Sequence, residues 1–201
     1  MQADVGSPAG RPLDSRVSSA LLDAALREIS EHGLEKTTIA EIAARAHTSK
    51  QAIYRRFRDK TDLVTAALLE ALRKSVPPPP QRVSVAQDLQ QCLQHTAAVL
   101  TQTPLGSALR ALVPCHREPR LAAVLDEAEA SQRLVLRQVL IATPFEADME
   151  TRIDLLLGLI YFRLFLRGTD IHDDDIERAI YLVLGLIAPR EPMPPGGLPG
   201  L

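Results

Sequence analysis

Basic and hydrogen-bonding side chains are concentrated in one short stretch of this 201-residue sequence. Residues 45–60 contain six Lys or Arg residues and one acidic residue, so the stretch carries a local net charge of +5. Hydroxyl and amide groups, which donate and accept hydrogen bonds, lie among these cations. A dense set of cations and donors suits a polyanion such as duplex DNA. A solvated basic surface is the alternative when the charge alone is considered.

Helical periodicity places the donors of this stretch on one face. With about 100° of rotation per residue, Ile53 and Phe57 share an inward face. Thr48, Gln51 and Arg55 lie on the opposite side, within about 60° of one another. The other candidate contacts are near the helix start or flank the polar face: Ser49, Lys50, Ala52, Tyr54 and Arg56. This pattern predicts a helix with a small apolar anchor and a hydrogen-bonding outer face.

A second short helix is predicted immediately before the basic one. The sequence Thr38-Ile39-Ala40-Glu41 is a capping box, in which a hydroxyl and a carboxylate bind the free amides of a helix start. Apolar residues then recur every three or four positions up to Ala46, and His47 interrupts the pattern. Two short helices joined by a tight turn, the second of them basic, predict a DNA-binding helix-turn-helix.

Apolar periodicity predicts further helices on both sides of the helix-turn-helix. Residues 15–32 follow helical spacing and end at Gly33, which is expected to take the left-handed conformation that closes helices. This helix is expected to pack across the helix-turn-helix and complete its core. Another helix is predicted from about Lys60, with Asp59 as its cap. It must end before the proline run 77–80, which cannot lie inside a helix.

Five more helices are predicted beyond the proline run, because prolines and glycine separate apolar segments of helical length. They are predicted at residues 83–101, 105–112, 119–141, 146–167 and from 173 to about 187. Asp174 and Glu177 are expected to cap the last helix. The helix at 146–167 is apolar on nearly every side in its second half, which is typical of burial inside a large domain or between partners.

The composition excludes several classes of protein. Hydrophobic residues make up 46% of the chain and charged residues 24%, as in soluble globular proteins. β-Branched residues rarely alternate and aromatic residues are only 3%, so an all-α fold is predicted. We find no nucleophile beside a base, no glycine-rich phosphate loop and no metal-ligand spacing. We therefore predict neither an enzyme nor a protein that needs a metal or cofactor.

Charge and targeting patterns favour a protein of the cytoplasm. Residues 1–75 have a net charge of +2 and the remainder −4, so the basic character is local. No apolar run is long enough to span a membrane, and the N-terminus lacks the apolar region of a signal peptide. The two cysteines do not form the pattern of a disulfide framework. We therefore expect a cytoplasmic location without membrane association.

Two segments of the sequence resemble the TetR/AcrR family of transcriptional regulators. The first is DAALREISEHGLEKTTIAEIAARA followed by TSKQAIYRRFRDKTDL, in which S-K-x-x-[IL]-Y-x-x-F and a nearby lysine are quite specific. This resemblance covers about residues 17–70. The second segment, LLLGLIYFRLFLRG, is similar to the end of the family's eighth helix. The resemblance implies nine helices, a homodimer through helices eight and nine, and a small-molecule effector pocket enclosed by helices five to eight.

The resemblance also implies roles for residues of the helix-turn-helix. Residues at positions that hold DNA phosphates are Tyr54 and Lys60, with Thr37 or Thr38 contributing. Positions that face bases are matched by three long donor side chains: Lys50, Gln51 and Arg55. Arg or Lys can donate to guanine O6 and N7, while Gln pairs with adenine N6 and N7. Phosphate contacts would set the register, and base contacts the sequence preference.

Two residues depart from the family pattern. His47 replaces the glycine of the turn, where a side chain is unfavourable if the residue takes a positive φ. Gln51 replaces a small residue, so the operator sequence of relatives cannot be transferred to this chain.

The effector pocket and the dimer interface are assigned through the resemblance of the C-terminal half. Candidate effector contacts are thiol, imidazole, aromatic and guanidinium side chains: Cys92, His95, Cys115, His116, Phe145, Tyr161, Phe162 and Arg163. Core packing is the alternative for the aromatics and cysteines, while Arg163 would meet an acidic ligand, Asp154 or a partner-chain residue. Dimer contacts are expected from apolar residues of the last two helices: Ile153, Leu156, Leu157, Ile160, Leu164, Ile176, Ile180, Val183, Leu184 and Ile187.

The predicted domain organisation follows from the helix-turn-helix and the proline run. Its parts are a mobile arm (1–14), a DNA-binding domain (15–60), a connecting helix (61–76), a proline linker (77–82), an effector-binding and dimerisation domain (83–188) and a disordered tail (189–201). The leading hypothesis is a sequence-specific, dimeric repressor that a small, largely apolar ligand releases from a palindromic operator in duplex DNA. The alternative is a helical ligand-binding or protein-interaction module without specific DNA binding.

Overall fold

The computed structural model describes residues 11–115 and 117–186, and side chains from residue 18 onward. In these ranges the chain forms nine α-helices and no strand, which confirms the all-α prediction. The α-helices are α1 (Arg11–Lys36), α2 (Ile39–Arg45), α3 (Lys50–Tyr54), α4 (Lys60–Lys74), α5 (Val85–Gln102), α6 (Pro104–Leu112), α7 (Pro119–Leu140), α8 (Met149–Tyr161) and α9 (Asp173–Leu184). A 3₁₀ helix spans Val113–Cys115, and a π-helical segment, Phe162–Arg167, follows α8. None of the helices in the described ranges has the length and apolar character needed to cross a membrane.

The two predicted chain ends fall mostly outside the described residues, at 1–10 and 187–201. The predicted arm is wrong at residues 11–14, which belong to α1. Gly33 has a positive φ of 78°, but its ψ of 165° is extended rather than left-handed helical. The helix is kinked there and continues to Lys36, so its predicted end at residue 32 is one turn too early.

The first of two compact units contains the described residues up to 77 together with 98–132. Small and aliphatic side chains from α1 to α4 form the core of its helix-turn-helix part: Leu21, Ala24, Ala25, Ile42, Ala43, Ile53, Leu63 and Ala67. Ile53 is fully buried, and Phe57 packs at the edge of this core. These positions confirm the predicted apolar anchor of the basic helix.

Helix α6 completes the first unit by packing across α1 and α4. Its buried residues recur at helical spacing: Leu105, Gly106, Ala108, Leu109 and Leu112. A Cβ atom added at Gly106 would lie 1.8 Å from the carbonyl oxygen of Leu100, so α6 starts in very close contact with α5. The domain division predicted at the proline linker did not place residues 98–132, which follow the linker, in the same unit as the helix-turn-helix. Local periodicity does not reveal which helices pack together.

The second unit contains residues 78–97 and the described residues from 133 onward. In it, α8 packs against α9, and the π-helical segment continues from α8. Arg133 and Arg137 of α7 form ion pairs with Glu150 of α8. Arg152 of α8 donates to the Val183 carbonyl oxygen in the last turn of α9. These polar contacts join α8 to both of its neighbouring helices.

The start of α9 differs from the prediction. The helix begins at Asp173, and the carboxylate of Asp175 accepts the His172 N–H at 3.2 Å. The predicted capping pair of Asp174 and Glu177 is therefore wrong, because the helix starts two residues earlier than that pair requires.

Asp88, in the first turn of α5, binds the end of the proline linker through hydrogen bonds. Its carboxylate is almost fully buried and accepts the backbone N–H groups of Gln81 and Arg82, each at 2.9 Å. The linker therefore ends in a fixed turn rather than in a free spacer.

Candidate nucleic-acid interface

Side-chain caps start both α2 and α3. The hydroxyl of Thr38 accepts the Glu41 amide, and the Thr38 amide donates to the Glu41 carboxylate at 3.0 Å. This geometry confirms the predicted capping box. Ser49 caps α3 by accepting the Ala52 amide at 3.2 Å. Between them His47 has a φ of 51°, so a side chain occupies the left-handed conformation for which glycine is favoured.

The outer face of α3 is exposed and rich in free donors. Lys50, Gln51 and Arg55 are exposed, and no described residue forms a hydrogen bond or ion pair with their side chains. Tyr54 beside them is 56% exposed, although large aromatic side chains are usually well buried. The predicted exposed face of the basic helix is therefore confirmed. Its donors are available to a molecule outside the chain.

The remaining candidates on α3 are less accessible. Thr48 and Ala52 are partly buried. Arg56 is also partly buried, and its Nη1 donates to the Ala52 carbonyl oxygen at 3.3 Å. The hydroxyl of Ser49 is exposed but already serves the helix cap. These residues shape the edge of the exposed face rather than supply its free donors.

Thr37 is not placed to contact a phosphate. The residue is only 1% exposed, and its hydroxyl donates to the Gly33 carbonyl oxygen at 2.8 Å. This bond closes the end of α1 after the kink. Of the two threonines considered as DNA contacts, Thr38 is therefore the accessible one, and the contact itself stays a prediction.

Lys60, a predicted phosphate contact, forms hydrogen bonds within the chain. Its ammonium donates to the carbonyl oxygens of Leu34 at 2.9 Å and Thr37 at 3.0 Å. Carbonyl groups at a helix C-terminus lack partners within the helix and attract a cation. Lys60 thus fixes the start of α4 to the end of α1, and its contact with DNA stays a prediction.

Arg45 is also used inside the fold. Its Nε is 2.6 Å from the buried carboxylate of Glu28, and its Nη1 donates to Glu31 at 2.9 Å. The hydrogen bonds that Arg45 donates to Glu31 and Glu28 raise its pKa above the ordinary value. Glu28 also lies 3.2 Å from the His32 imidazole. This network joins α1 to α2, so the local charge of the stretch overstates the number of free cations.

An ion pair that the sequence did not predict lies at the start of α4. Arg120 donates to both carboxylate oxygens of Asp59, each at 3.1 Å. Asp59 also caps α4, as predicted, by accepting the Asp62 amide. The Asp62 amide and the Arg120 guanidinium lower the pKa of the Asp59 carboxyl. No local signal reveals this pair, because its two residues are 61 positions apart.

The predicted effector residues have individual structural partners. Burial raises the pKa of the Cys92 thiol to about 11, as expected for a packed and unreactive cysteine. The Arg152 guanidinium lies over the ring of Phe145, with its central carbon 5.6 Å from the ring centre. Tyr161 stacks on Phe165 with ring centres 5.7 Å apart. These contacts agree with the core-packing alternative and leave the effector role a prediction.

Arg163 is paired within the chain. Its guanidinium forms two hydrogen bonds with the Asp175 carboxylate, one of them at 3.1 Å. Asp154, considered as its partner from the sequence, is instead bound by Arg133. Of the other candidates, His95 and Cys115 are partly buried, Phe162 is 52% exposed, and His116 lies outside the described residues.

A groove of about 430 Å³ lies beside the start of α5 in the second unit. Its walls are mostly polar and comprise Gln81, Val83, Gln87, Asp88, Gln90, Gln91 and Gln94. None of the predicted effector residues lines this groove, so it offers no support for their assignment.

Most of the predicted dimer contacts are buried within the chain itself. Eight of the ten belong to the core between α8, the π-helical segment and α9: Ile153, Leu156, Leu157, Ile160, Leu164, Ile176, Ile180 and Leu184. Val183 is partly exposed, and Ile187 lies outside the described residues. These eight side chains therefore leave little surface for a partner chain, and their dimer role stays a prediction. Because α8 is apolar all round, its sequence did not distinguish the face buried in the chain from the opposite one.

The opposite face of these helices carries exposed apolar side chains. Leu155, Phe162 and Leu166 are at least half exposed and recur at helical spacing along α8 and the π-helical segment. Leu182 of α9 is 80% exposed, and Leu186 just beyond α9 is also exposed. Large apolar side chains grouped in this way mark an interaction surface. We call these five residues the exposed leucine face.

Comparison with known protein families matches both halves of the chain. Residues 21–67 match the family described as bacterial regulatory proteins, tetR family. Residues 79–183 match the tetracyclin repressor-like C-terminal domain. The chain therefore belongs to the TetR family and is a helix-turn-helix transcriptional regulator.

Individual relatives agree with this assignment. An uncharacterised HTH-type transcriptional regulator of Mycobacterium tuberculosis is 30% identical over 184 residues, which cover 86% of this chain and 90% of the relative. The DNA-binding transcriptional repressor TetR of Mycobacteroides abscessus is 43% identical over 51 residues, which cover 25% of this chain and 27% of the relative. A crystal structure of a TetR-family regulator from Streptomyces coelicolor has the same fold, with a TM-score of 0.70, 20% identity, and coverage of 85% of this chain and 80% of that one.

Proposed function

We propose that this regulator represses transcription by binding a palindromic operator as a homodimer, and that a small, largely apolar ligand releases it. The observation that carries the proposal is the outer face of α3, where Lys50, Gln51 and Arg55 lack partners among the described residues. A short, basic, exposed helix after a tight turn fits the major groove. The similarity to the repressor of Mycobacteroides abscessus supports repression rather than activation.

Within the interface, base contacts are assigned to Gln51 and Arg55, and a phosphate contact to Tyr54. Gln51 and Arg55 are four residues apart, so they project from the same side of the helix. Gln suits adenine and Arg suits guanine in the major groove. Thr38 supports the phosphate contact at the start of α2, where backbone amides point outward.

The exposed leucine face is assigned to the contact between two copies. A second chain would cover Phe162 and Leu182 with the same residues of its own π-helical segment and α9, which is the arrangement of a two-fold symmetric dimer. Two copies of α3 can then occupy successive major grooves on one side of the operator. The proposal places the dimer contact opposite to the face that the sequence pattern had favoured.

Release is assigned to a shift between two spacings of the two α3 helices. A ligand that binds one spacing more tightly than the other moves the population toward it. The C-terminal domain is the proposed site of this ligand, with Cys92, His95, His116, Phe145 and Tyr161 as candidate contacts. Such a regulator acts on cytoplasmic DNA and needs no catalytic residue.

Mobility-shift titrations with the DNA upstream of its own gene test this function. We expect a complex that resists excess random duplex and weakens as salt rises, because phosphate contacts release counterions. Arg55→Ala should reduce the preference for operator over random duplex by about 10- to 100-fold, since a good base contact contributes roughly 1–3 kcal/mol. Equal losses on both duplexes would remove Arg55 from base recognition. If the wild-type chain forms no specific complex, the alternative of a ligand-binding or protein-interaction module is favoured.

A further inference from the structure

One ion pair joins the end of the helix-turn-helix to a helix far along the sequence. Arg120, in the first turn of α7, reaches both oxygens of Asp59 with Nη1. Its Nε donates to Glu118 at 3.0 Å, so the guanidinium is held from two sides. Asp59 in turn accepts the Asp62 amide at 2.8 Å. A single carboxylate therefore starts α4 and binds α7.

The next residue provides a second anchor. Lys60 binds the end of α1, so two consecutive residues tie the junction between α3 and α4 to two different helices. Helix α3 has only five residues, and its buried residue is Ile53. The segment that follows α3 therefore contributes much of what fixes its orientation in the first unit.

We infer that Arg120 is a positioning residue for DNA binding, which acts through Asp59 by holding the junction after α3. The inference rests on the proposed function and adds to it a residue outside the family's helix-turn-helix segment, which ends at residue 67. Ordering the junction in advance removes part of the entropic cost of docking α3 into DNA. A substitution at Arg120 alters none of the side chains that the α3 face presents to DNA.

Stability and affinity should respond differently to loss of this pair. The side chains of Arg120 and Asp59 are 40% and 50% exposed, and ion pairs so exposed contribute little to folding. For removal of the Asp59 charge, simple electrostatics and the positioning role predict opposite changes in DNA affinity. Removal of the negative charge of Asp59 beside α3 would strengthen binding to a polyanion, whereas loss of positioning weakens it.

The experiment compares four variants of the full-length chain on one operator duplex, the one that the wild-type chain binds upstream of its gene. Asp59→Asn removes the charge and keeps a good helix cap, and Arg120→Gln removes the other partner. We expect each to weaken operator binding by about two- to fivefold, the range for an exposed ion pair. The double variant should be no weaker than either single variant. Arg117→Gln removes a nearby exposed charge and should leave affinity unchanged.

The results separate this inference from the proposed function. Tighter binding by Asp59→Asn, additive losses in the double variant, or an equal loss in Arg117→Gln would each overturn the positioning role. Thermal unfolding of all four variants should remain within about 2 °C of the wild type, so a larger fall in Arg120→Gln would assign it to folding instead. If the wild type binds DNA specifically and Arg120→Gln binds equally well, only this inference fails. If the wild type does not bind specifically, both fail.

Discussion

At the scale of single residues, the cations near α3 fall into two groups. Lys50 and Arg55 end in solvent without partners in the described chain. Arg45 and Lys60 end on carboxylate or carbonyl oxygens of α1. The first group can bind a phosphate or base without loss of an internal contact. The second group keeps α2 and α4 in place and is expected to affect DNA binding only through the fold.

Replacement of Lys60 should lower stability. Lys60→Ala leaves two carbonyl oxygens at the end of α1 without their donor, and a hydrogen bond to a charged group contributes about 1–2 kcal/mol at a partly exposed site. We expect the unfolding midpoint to fall by about 3–6 °C. Lys50→Ala is the matched control, because it removes the same side chain from an exposed position and should leave the midpoint unchanged. Similar midpoints for the two variants would show that Lys60 does not support α1.

At the scale of elements, short-range caps and close helix contacts determine where helices start. Thr38, Ser49 and Asp59 each accept an amide three residues ahead, and these bonds start α2, α3 and α4. Helix α6 also has a hydroxyl cap, because Thr103 accepts the Leu105 amide. In its first turn, Gly106 leaves room for the Leu100 backbone, so this helix needs both a cap and the absence of a side chain.

Gly106→Ala tests the close approach. The added methyl group would overlap the Leu100 backbone, which must shift together with α5, and overpacking of this kind typically costs about 1–3 kcal/mol. The unfolding midpoint should fall by roughly 3–10 °C. Ser107→Ala, an exposed change on the same helix, should be neutral or slightly stabilising. An unchanged midpoint in Gly106→Ala would contradict the observed packing of α6.

The carboxylate of the α2 cap should make stability depend on pH. Hydrogen bonds from the Thr38 hydroxyl and amide lower the pKa of Glu41 below its ordinary 4.5. Its contribution is therefore present above that pH and is lost as the pH falls through the lower folded pKa. Gln at this position keeps the capping box without titrating. In thermal melts from pH 7 to 3.5, the difference in unfolding midpoint between the wild type and Glu41→Gln should shrink as the pH falls. A difference that grows on acidification would contradict the lowered pKa of Glu41.

Sequence patterns predicted those features that depend on neighbours in the chain. The caps at Thr38 and Asp59 and the inward position of Ile53 needed only a few adjacent residues. The roles of Lys60 and Arg120 could not be predicted, because their partners are brought close only by folding. Gly33 was predicted to be a left-handed helix end but forms a kink with an extended ψ. Glycine adopts both conformations readily, so its sequence context did not distinguish between them.

At the scale of the whole molecule, the exposed leucine face is an apolar surface that remains in contact with water in the monomer. Phe162, Leu166 and Leu182 are each more than half exposed, while the other face of the same helices is buried in the chain. Apolar area of this kind is stabilised when a second surface removes it from water. The sequence showed that α8 is apolar all round, but only the packing against α9 determines which side remains for a partner.

A charge on the exposed leucine face should produce monomers. Leu182→Glu places an unpaired carboxylate in the proposed interface, where burial of a charge is strongly unfavourable. Sedimentation at micromolar concentration should show a dimer for the wild type and a shift toward monomer for the variant. Val83→Glu places a carboxylate at an exposed apolar residue just after the linker and should remain dimeric. A wild-type monomer at this concentration, or an unchanged dimer in Leu182→Glu, would contradict the assignment.

The brevity of α3 has an evolutionary consequence. Its five residues are anchored by Ile53, while the side chains of Gln51 and Arg55 form no hydrogen bond or ion pair with another described residue. Substitutions at these two outward positions therefore carry little penalty for folding, and duplicated genes could diverge in their binding sites without compensating changes in the core. The same separation makes positions 51 and 55 suitable for a randomised library selected for new target sequences.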